Sequence, residues 1–233
     1  MGYSGRSLSL APLSPVVSHL KEIPAMLPVA TPNGQPVDLF STLVDPSQYA
    51  LHQFQRTMNV SGYQGSPIYL FASYFIQNAV AASKAIYQPS QPNILSHYER
   101  YLIYNPNFMK HMEFTSGSEY TTLSIFAHEI GHHFYGHADV SNYWGLPSHP
   151  WEKETQADYY SGFVLAKLGA QPKDLETTQR LIFSMWASET HPDSFNRISS
   201  IVKGWKDGGG IGVAVDDLML IYNKITNEMN RWY

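Results

Sequence analysis

Between Ala127 and Val140 the chain reads AHEIGHHFYGHADV, four histidines of which two pairs, His128 with His132 and His133 with His137, stand four positions apart. Residues four apart share one face of an α-helix, a turn from each other. Two imidazoles on one face can chelate a single ion, and this requirement constrains the fold: the segment has to be helical, and a further ligand has to reach it from another element. Both pairs meet the spacing. Only the first encloses an acid, Glu129, because Phe134 takes the corresponding place in the second. Hydrolysis at neutral pH needs a carboxylate beside the attacking water to take its proton and pass it to the leaving group. His128 and His132 are therefore the expected metal ligands, and Glu129 the expected general base and acid. His133 and His137 fall on a stripe turned about 100° or more from that face and read as surface or helix-end residues. His137 there would meet the negative end of the helix dipole. Gly131 disfavours a helix by ~1 kcal/mol against Ala, so its place beside a ligand points to close approach of another segment.

The pattern H-E-x-x-H arises by chance about 0.02 times in a chain of this length and composition, so a second signature is needed. A catalytic zinc site takes three protein ligands and leaves the fourth position for water. The 233 residues contain no cysteine, which leaves histidine and carboxylates as the strong ligands. Glu154, followed four residues later by Asp158, lies on the next helical segment. Glu154 is the expected third ligand of one Zn2+ per chain, and Asp158 is expected to accept the distal N–H of His128 and fix its tautomer. Glu152 competes with Glu154 but has no acid four residues on.

Elements follow from periodicity. Residues 1–48 are rich in Pro, Ser and Gly and read as an extended arm packed on the domain or partly disordered, with a short helical piece around Val16–Met26; residues 49–233 read as the domain. A helix is predicted over 48–60. Two strand-like runs, SPIYLFASYF and ERYLIYNPNF, are separated by the polar YQPSQPNILSH. A helix of about twenty residues is predicted from an N-cap at Ser118, and a second from Ser148 or Pro150 to Lys167, ended by Gly169. Further helices are predicted over Lys173–Ser188, Pro192–Lys206 and the amphipathic C-terminal stretch. The fold class expected is α+β: a small, mostly antiparallel sheet packed on a helical core.

Composition removes several functions. The net charge of -4 argues against a nucleic-acid partner. Residues 57–83 carry no charged side chain, yet Gly62, Gly65, Pro67, Gln77 and Asn78 interrupt them, so no membrane span of ~20 apolar residues is predicted. The N-terminus lacks the basic, apolar and small-residue succession of a signal peptide. The chain reads as soluble, with the cytoplasm the expected compartment. The sixteen tyrosines are read as packing residues; Tyr159 and Tyr160 carry no assigned role.

HEIGH followed by ETQAD resembles the gluzincin metallopeptidases and, within them, family M48, which includes the HtpX-like heat-shock proteases and the CAAX-processing proteases. QNAVA (77–81) is similar to the Asn-Ala strand motif of that group. YLIYNPNFM is similar to the edge strand before its active-site helix, and HPDSFNR (191–197) to its downstream His-Pro with an Arg six residues after the His. The resemblance covers about residues 50–205. It implies His128, His132 and Glu154 as zinc ligands and Glu129 as base and acid. It further implies His191 as the donor to the oxyanion of a hydrolysed amide, with Arg197 holding His191 or a carboxylate in place. The group's well-known members carry membrane helices, and this chain is more similar to the soluble, minimal ones. Leu102 to Asn105, on the similar strand, are candidates to bind an extended peptide by β-addition, with simple support of the sheet as the alternative. The expected function is a zinc-dependent endopeptidase acting on peptide or protein substrates. The alternatives are a catalytically silent, zinc-stabilised binding module and a latent protease covered by its N-terminal arm.

Overall fold

The computed structural model describes residues 28–30, 36–139, 150–175 and 194–211. The predicted helices at the N- and C-terminal ends, His191, and most of the helix expected over 173–188 lie outside these residues. The short strands β1 (Pro28–Ala30) and β2 (Pro36–Asp38) pair antiparallel and lead into a 3-10 turn, Leu39–Thr42. Helix α1 (Gln48–Ser61) opens on Ser47, whose side chain accepts the Ala50 N–H, and closes on Gly62.

Three strands then form a mixed sheet: β3 (Ile68–Ala72), β4 (Ala79–Gln88) and β5 (Gln91–Tyr104). Their order is β3-β5-β4, with β5 parallel to β3 and antiparallel to β4. The α+β class holds, and the antiparallel pairing is the longer of the two. The polar stretch expected to separate two strands is instead the tip and outer half of the β4–β5 hairpin. Residues 91–97 are all exposed there, so no buried face imposes a period of two on the sequence. Towards its end β5 alternates cleanly: Leu102 and Tyr104 face one side, Tyr101 and Ile103 the other. Because β5 is the central strand, Leu102–Tyr104 have partners on both sides. The edge strands are β3, bridged at Ala72 by Val44, and β4, which among the described residues has no strand on its outer side; this corrects the edge placement expected for Leu102 to Asn105.

The second run also ends earlier than expected, since Asn105 caps a helix, α2 (Pro106–Ser116), by accepting the Asn107 and Phe108 N–H groups. Asn at the cap, Pro at the first helical position and Gly117 beyond the end are the ordinary signals of such a helix. Helix α3 (Tyr120–Phe134) carries the histidines, and Ser118 Oγ accepts the Tyr120 N–H at 3.3 Å. It is shorter than twenty residues because Tyr135 and Gly136 close it. Helix α4 spans Pro150–Lys167, α5 is described over residues 172–175, and α6 spans Ser194–Asp207. Among the described residues no helix is long and apolar enough to cross a membrane.

The inner face of the sheet, with Leu70 and Leu102, packs on Phe54 of α1 and on Phe126 and Ile130 of α3. Leu39, Phe40 and Leu43 cover the outer face through Phe71, Tyr101 and Ile103, so this part of the expected arm is built into the domain. A second core joins Leu123 of α3 and Leu165 of α4 to Ile198, Ile201 and Trp205 of α6. Helices α4 and α6 cross where Gly162 meets Gly204. A Cβ on Gly162 would lie 1.8 Å from the Ile201 carbonyl oxygen, and one on Gly204 1.8 Å from that of Tyr159. Backbone atoms cannot swing aside as a flexible side chain can, so Gly162→Ala forces the helices apart. We expect a loss of about 1–3 kcal/mol or more in urea unfolding at neutral pH; wild-type stability would show that the crossing is looser than described.

Candidate metal centre

The sequence sets His128 and His132 on one face of α3, and the structure turns that face toward α4. Gly131 lets the two helices close: a Cβ there would stand 3.1 Å from both Ala157 Cα and Tyr160 Cβ, the close approach its place in the helix suggests. Across the contact comes Glu154. His128 Nε2 and His132 Nε2 are 3.2 Å apart, and the Glu154 carboxylate spans them, Oε2 at 3.4 Å from the first and Oε1 at 3.5 Å from the second. Among the described residues, these three form the group whose ligand atoms converge as a metal site requires. Zinc held at about 2.0–2.2 Å in a tetrahedron would separate its ligand atoms by roughly 3.3–3.6 Å. The donor set therefore fits such an ion in both chemistry and spacing. Glu152 is exposed and does not belong to this group.

Behind His128, Asp158 Oδ1 accepts the Nδ1–H at 3.0 Å. Asp158 is 1 % exposed, and a lone carboxylate buried to that degree would be strongly unfavourable. Arg197, brought in by α6, compensates it with two parallel bonds, Nε to Oδ2 at 2.7 Å and Nη2 to Oδ1 at 2.9 Å. Burial alone would raise the Asp158 pKa, but Arg197 and His128 outweigh it and hold it below the ordinary value. Arg197 thus holds a carboxylate, one of the two roles open to it, and His191 lies outside the described residues.

The charges at the site show what it favours. Burial opposes a positive charge on His128, yet Asp158 and Glu154 overcome this and raise its pKa to about 10. His132, buried and beside that charge, is lowered to about 3. Burial likewise opposes the Glu154 carboxylate, and the two histidines reverse the effect and lower its pKa. Glu154 and Asp158 favour a positive charge on His128, and a divalent cation held on the Nε2 atoms would compete with a proton there.

Glu129 points from the same helix into a cleft of about 400 Å³ bordered by Asn78–Ala81 of β4, Met112 of α2 and Ile125 of α3. Burial raises its pKa to about 7, with Glu154 adding to the effect and His128 opposing it. Its Oε2 accepts the Ala81 N–H at 2.7 Å. That contact with β4 was not foreseen from the sequence: only the likeness of QNAVA to a strand motif hinted that this segment borders the cleft.

His133 and His137 do not converge. His133 is 2 % exposed, and its Nε2 bonds the Tyr101 carbonyl oxygen at 2.9 Å, so it is a core residue between α3 and the sheet. Burial lowers its pKa to about 4. The reading of it as a surface residue fails because the back of α3 is covered by β5. His137 is not on the helix stripe at all. Gly136 adopts φ 72°, the Gly136 N–H bonds the His133 carbonyl and the His137 N–H returns to that of His132 at 2.8 Å. This is the paired closure common at helix C-termini. His137 lands beside His132, Nδ1 to Nδ1 at 3.0 Å, and burial lowers its pKa. Tyr160 is a core residue bonded to the Ser61 carbonyl, while Tyr159 bonds Asp207.

Comparison of the chain with family models, with curated proteins and with solved structures finds no match.

Removing one partner of the Asp158–Arg197 pair strands the other in the interior. In the metal-free protein, Asp158→Asn and Arg197→Gln should each lower stability by about 3–5 kcal/mol in urea unfolding. The double variant should lose clearly less than the sum of the two. Additive losses would mean that the groups do not depend on each other.

Proposed function

We infer that the protein is a zinc-dependent endopeptidase of the gluzincin type, similar to the minimal members of family M48. The observation that carries this reading is the convergence of His128 Nε2, His132 Nε2 and the Glu154 carboxylate at the spacing of a tetrahedral zinc site, with Glu129 on the same helix facing the open cleft. A closed structural site has no use for such a base, nor for a cleft beside its ligands. His128, His132 and Glu154 would hold the ion, which when bound supplies Lewis acidity toward water and the scissile carbonyl.

Glu129 takes the proton of the attacking water and delivers it to the leaving amine. Its pKa near neutrality suits a group that must accept and then return a proton. The Ala81 N–H that now holds Glu129 belongs to β4, whose outer edge has no strand beside it among the described residues. An extended peptide laid along that edge would bond main chain to main chain, which supports peptides as the substrate class. His191 is the proposed donor to the oxyanion, on the resemblance alone. Leu39, Phe40 and Leu43 pack on the opposite face of the sheet from α3, so the described part of the arm does not favour the latent form.

Glu129→Gln should retain zinc within a few-fold and lose 10²–10⁴ of the hydrolysis rate on a peptide library, measured against wild type with equal metal content, as expected for a general base. A chelator should abolish wild-type activity and added zinc restore it. Full hydrolysis by Glu129→Gln would sink the mechanism. His128→Ala, His132→Ala and Glu154→Ala should fail to retain zinc in elemental analysis, whereas Glu152→Ala should keep one ion per chain; loss from Glu152→Ala alone would reassign the ligand.

A further inference from the structure

The hydrolytic reading uses one face of His132 and gives His137 nothing to do. Yet the Gly136 turn brings the two rings together edge to face, with centroids 5.2 Å apart. On its other side His137 stacks on Tyr135, at 5.5 Å between centroids and 19° between planes, so the ring is held in one orientation. Its second nitrogen, Nε2, lies 2.8 Å from Oε1 of Gln156, which stands on α4 two residues after Glu154.

These three side chains form a line of hydrogen bonds whose direction can be deduced. An amide oxygen only accepts, so the proton at the outer contact sits on His137 Nε2. A neutral His137 then presents a lone pair at Nδ1. Two imidazole nitrogens at 3.0 Å need one proton between them, and His132 Nδ1 must supply it. His132 is thereby left with its lone pair on Nε2, the atom facing His128 and Glu154. The reverse direction requires the Gln156 amide turned over and a proton on His132 Nε2, which would block that nitrogen as a ligand. The outer end of the chain and the metal-facing end thus demand the same arrangement.

We propose that His137 and Gln156 are positioning residues that lock His132 in the Nδ1–H tautomer with Nε2 aimed at the metal, the uncharged counterpart of Asp158 behind His128. This rests on the reading of His128, His132 and Glu154 as a zinc site. The two histidines are then supported differently. His128 leans on a carboxylate that Arg197 compensates, while His132 leans on a neutral ring and amide that bring no further charge into the site. Partners behind a metal-bound histidine typically alter metal affinity 10–100-fold.

The test uses the full chain labelled with 15N, read by long-range 1H–15N correlation of the histidine rings with and without zinc, together with zinc affinity by chelator competition. In wild type, His132 should appear as the Nδ1–H tautomer and His137 as Nε2–H in both states. His137→Ala should bind zinc 10–100-fold more weakly, and metal-free His132 should then populate both tautomers. His137→Asn places an amide oxygen where Nδ1 stood and should recover most of the affinity. Gln156→Leu should weaken binding in the same direction, and it answers the question if His137→Ala does not fold. Unchanged zinc affinity in His137→Ala and Gln156→Leu, or a wild-type His132 protonated on Nε2, overturns the relay and leaves the metal centre standing. A wild type that takes up no zinc overturns the metal centre and the role of the relay with it.

Discussion

The Asp158 carboxylate is the constraint on which the centre of this molecule depends. It is a full negative charge removed from water, and such a group survives only when other charges and hydrogen bonds replace its hydration. Arg197 supplies two bonds from α6 and His128 a third from α3, so three helices meet at one side chain of the fourth position on α4 after Glu154. The three helices also pack backbone against backbone. Gly131 between α3 and α4, and Gly162 with Gly204 between α4 and α6, permit that approach.

The same arrangement explains the polarity of the site. With Asp158 neutralised by Arg197, the Glu154 carboxylate remains beside two imidazoles and draws a positive charge toward them. Asp158 and Glu154 accordingly raise the proton affinity of His128. The geometry that makes the proton favourable also makes the pair of Nε2 atoms a place for a cation. Glu129 sits at the margin of this field, where burial brings its proton affinity close to neutrality, while the N–H of an open sheet edge holds one of its oxygens.

The parts of the fold that were legible in the sequence were those in which a local rule and the buried face agree. Helix α1 has a serine cap, a glycine end and apolar spacing of one helix face, and α4 has a proline start and a glycine end. The hairpin was not legible, because its outer half is exposed and carries no alternation. Helix α2 was missed for a different reason: YLIY reads as a strand, and extending that run to Phe108 concealed the Asn105 cap and Pro106 start immediately behind it. His133 and His137 show the limit most plainly. Helical spacing puts them on one stripe, but the cover of β5 makes the first a core residue, and the Gly136 turn takes the second off the helix and onto His132.

The sequence by itself determined the donor set of the candidate site, because i and i+4 spacing on a helix is local geometry: His128 with His132, and Glu154 with Asp158, had to share faces wherever their helices packed. Only the tertiary structure decided that Arg197 rather than another cation meets Asp158, that the Ala81 N–H meets Glu129, and that β4 rather than β5 is the open edge beside the cleft. Those relations join residues about thirty or more positions apart, such as Asp158 to Arg197 and Ala81 to Glu129. They depend on helix crossing distances and strand order, and no periodicity along the chain encodes either.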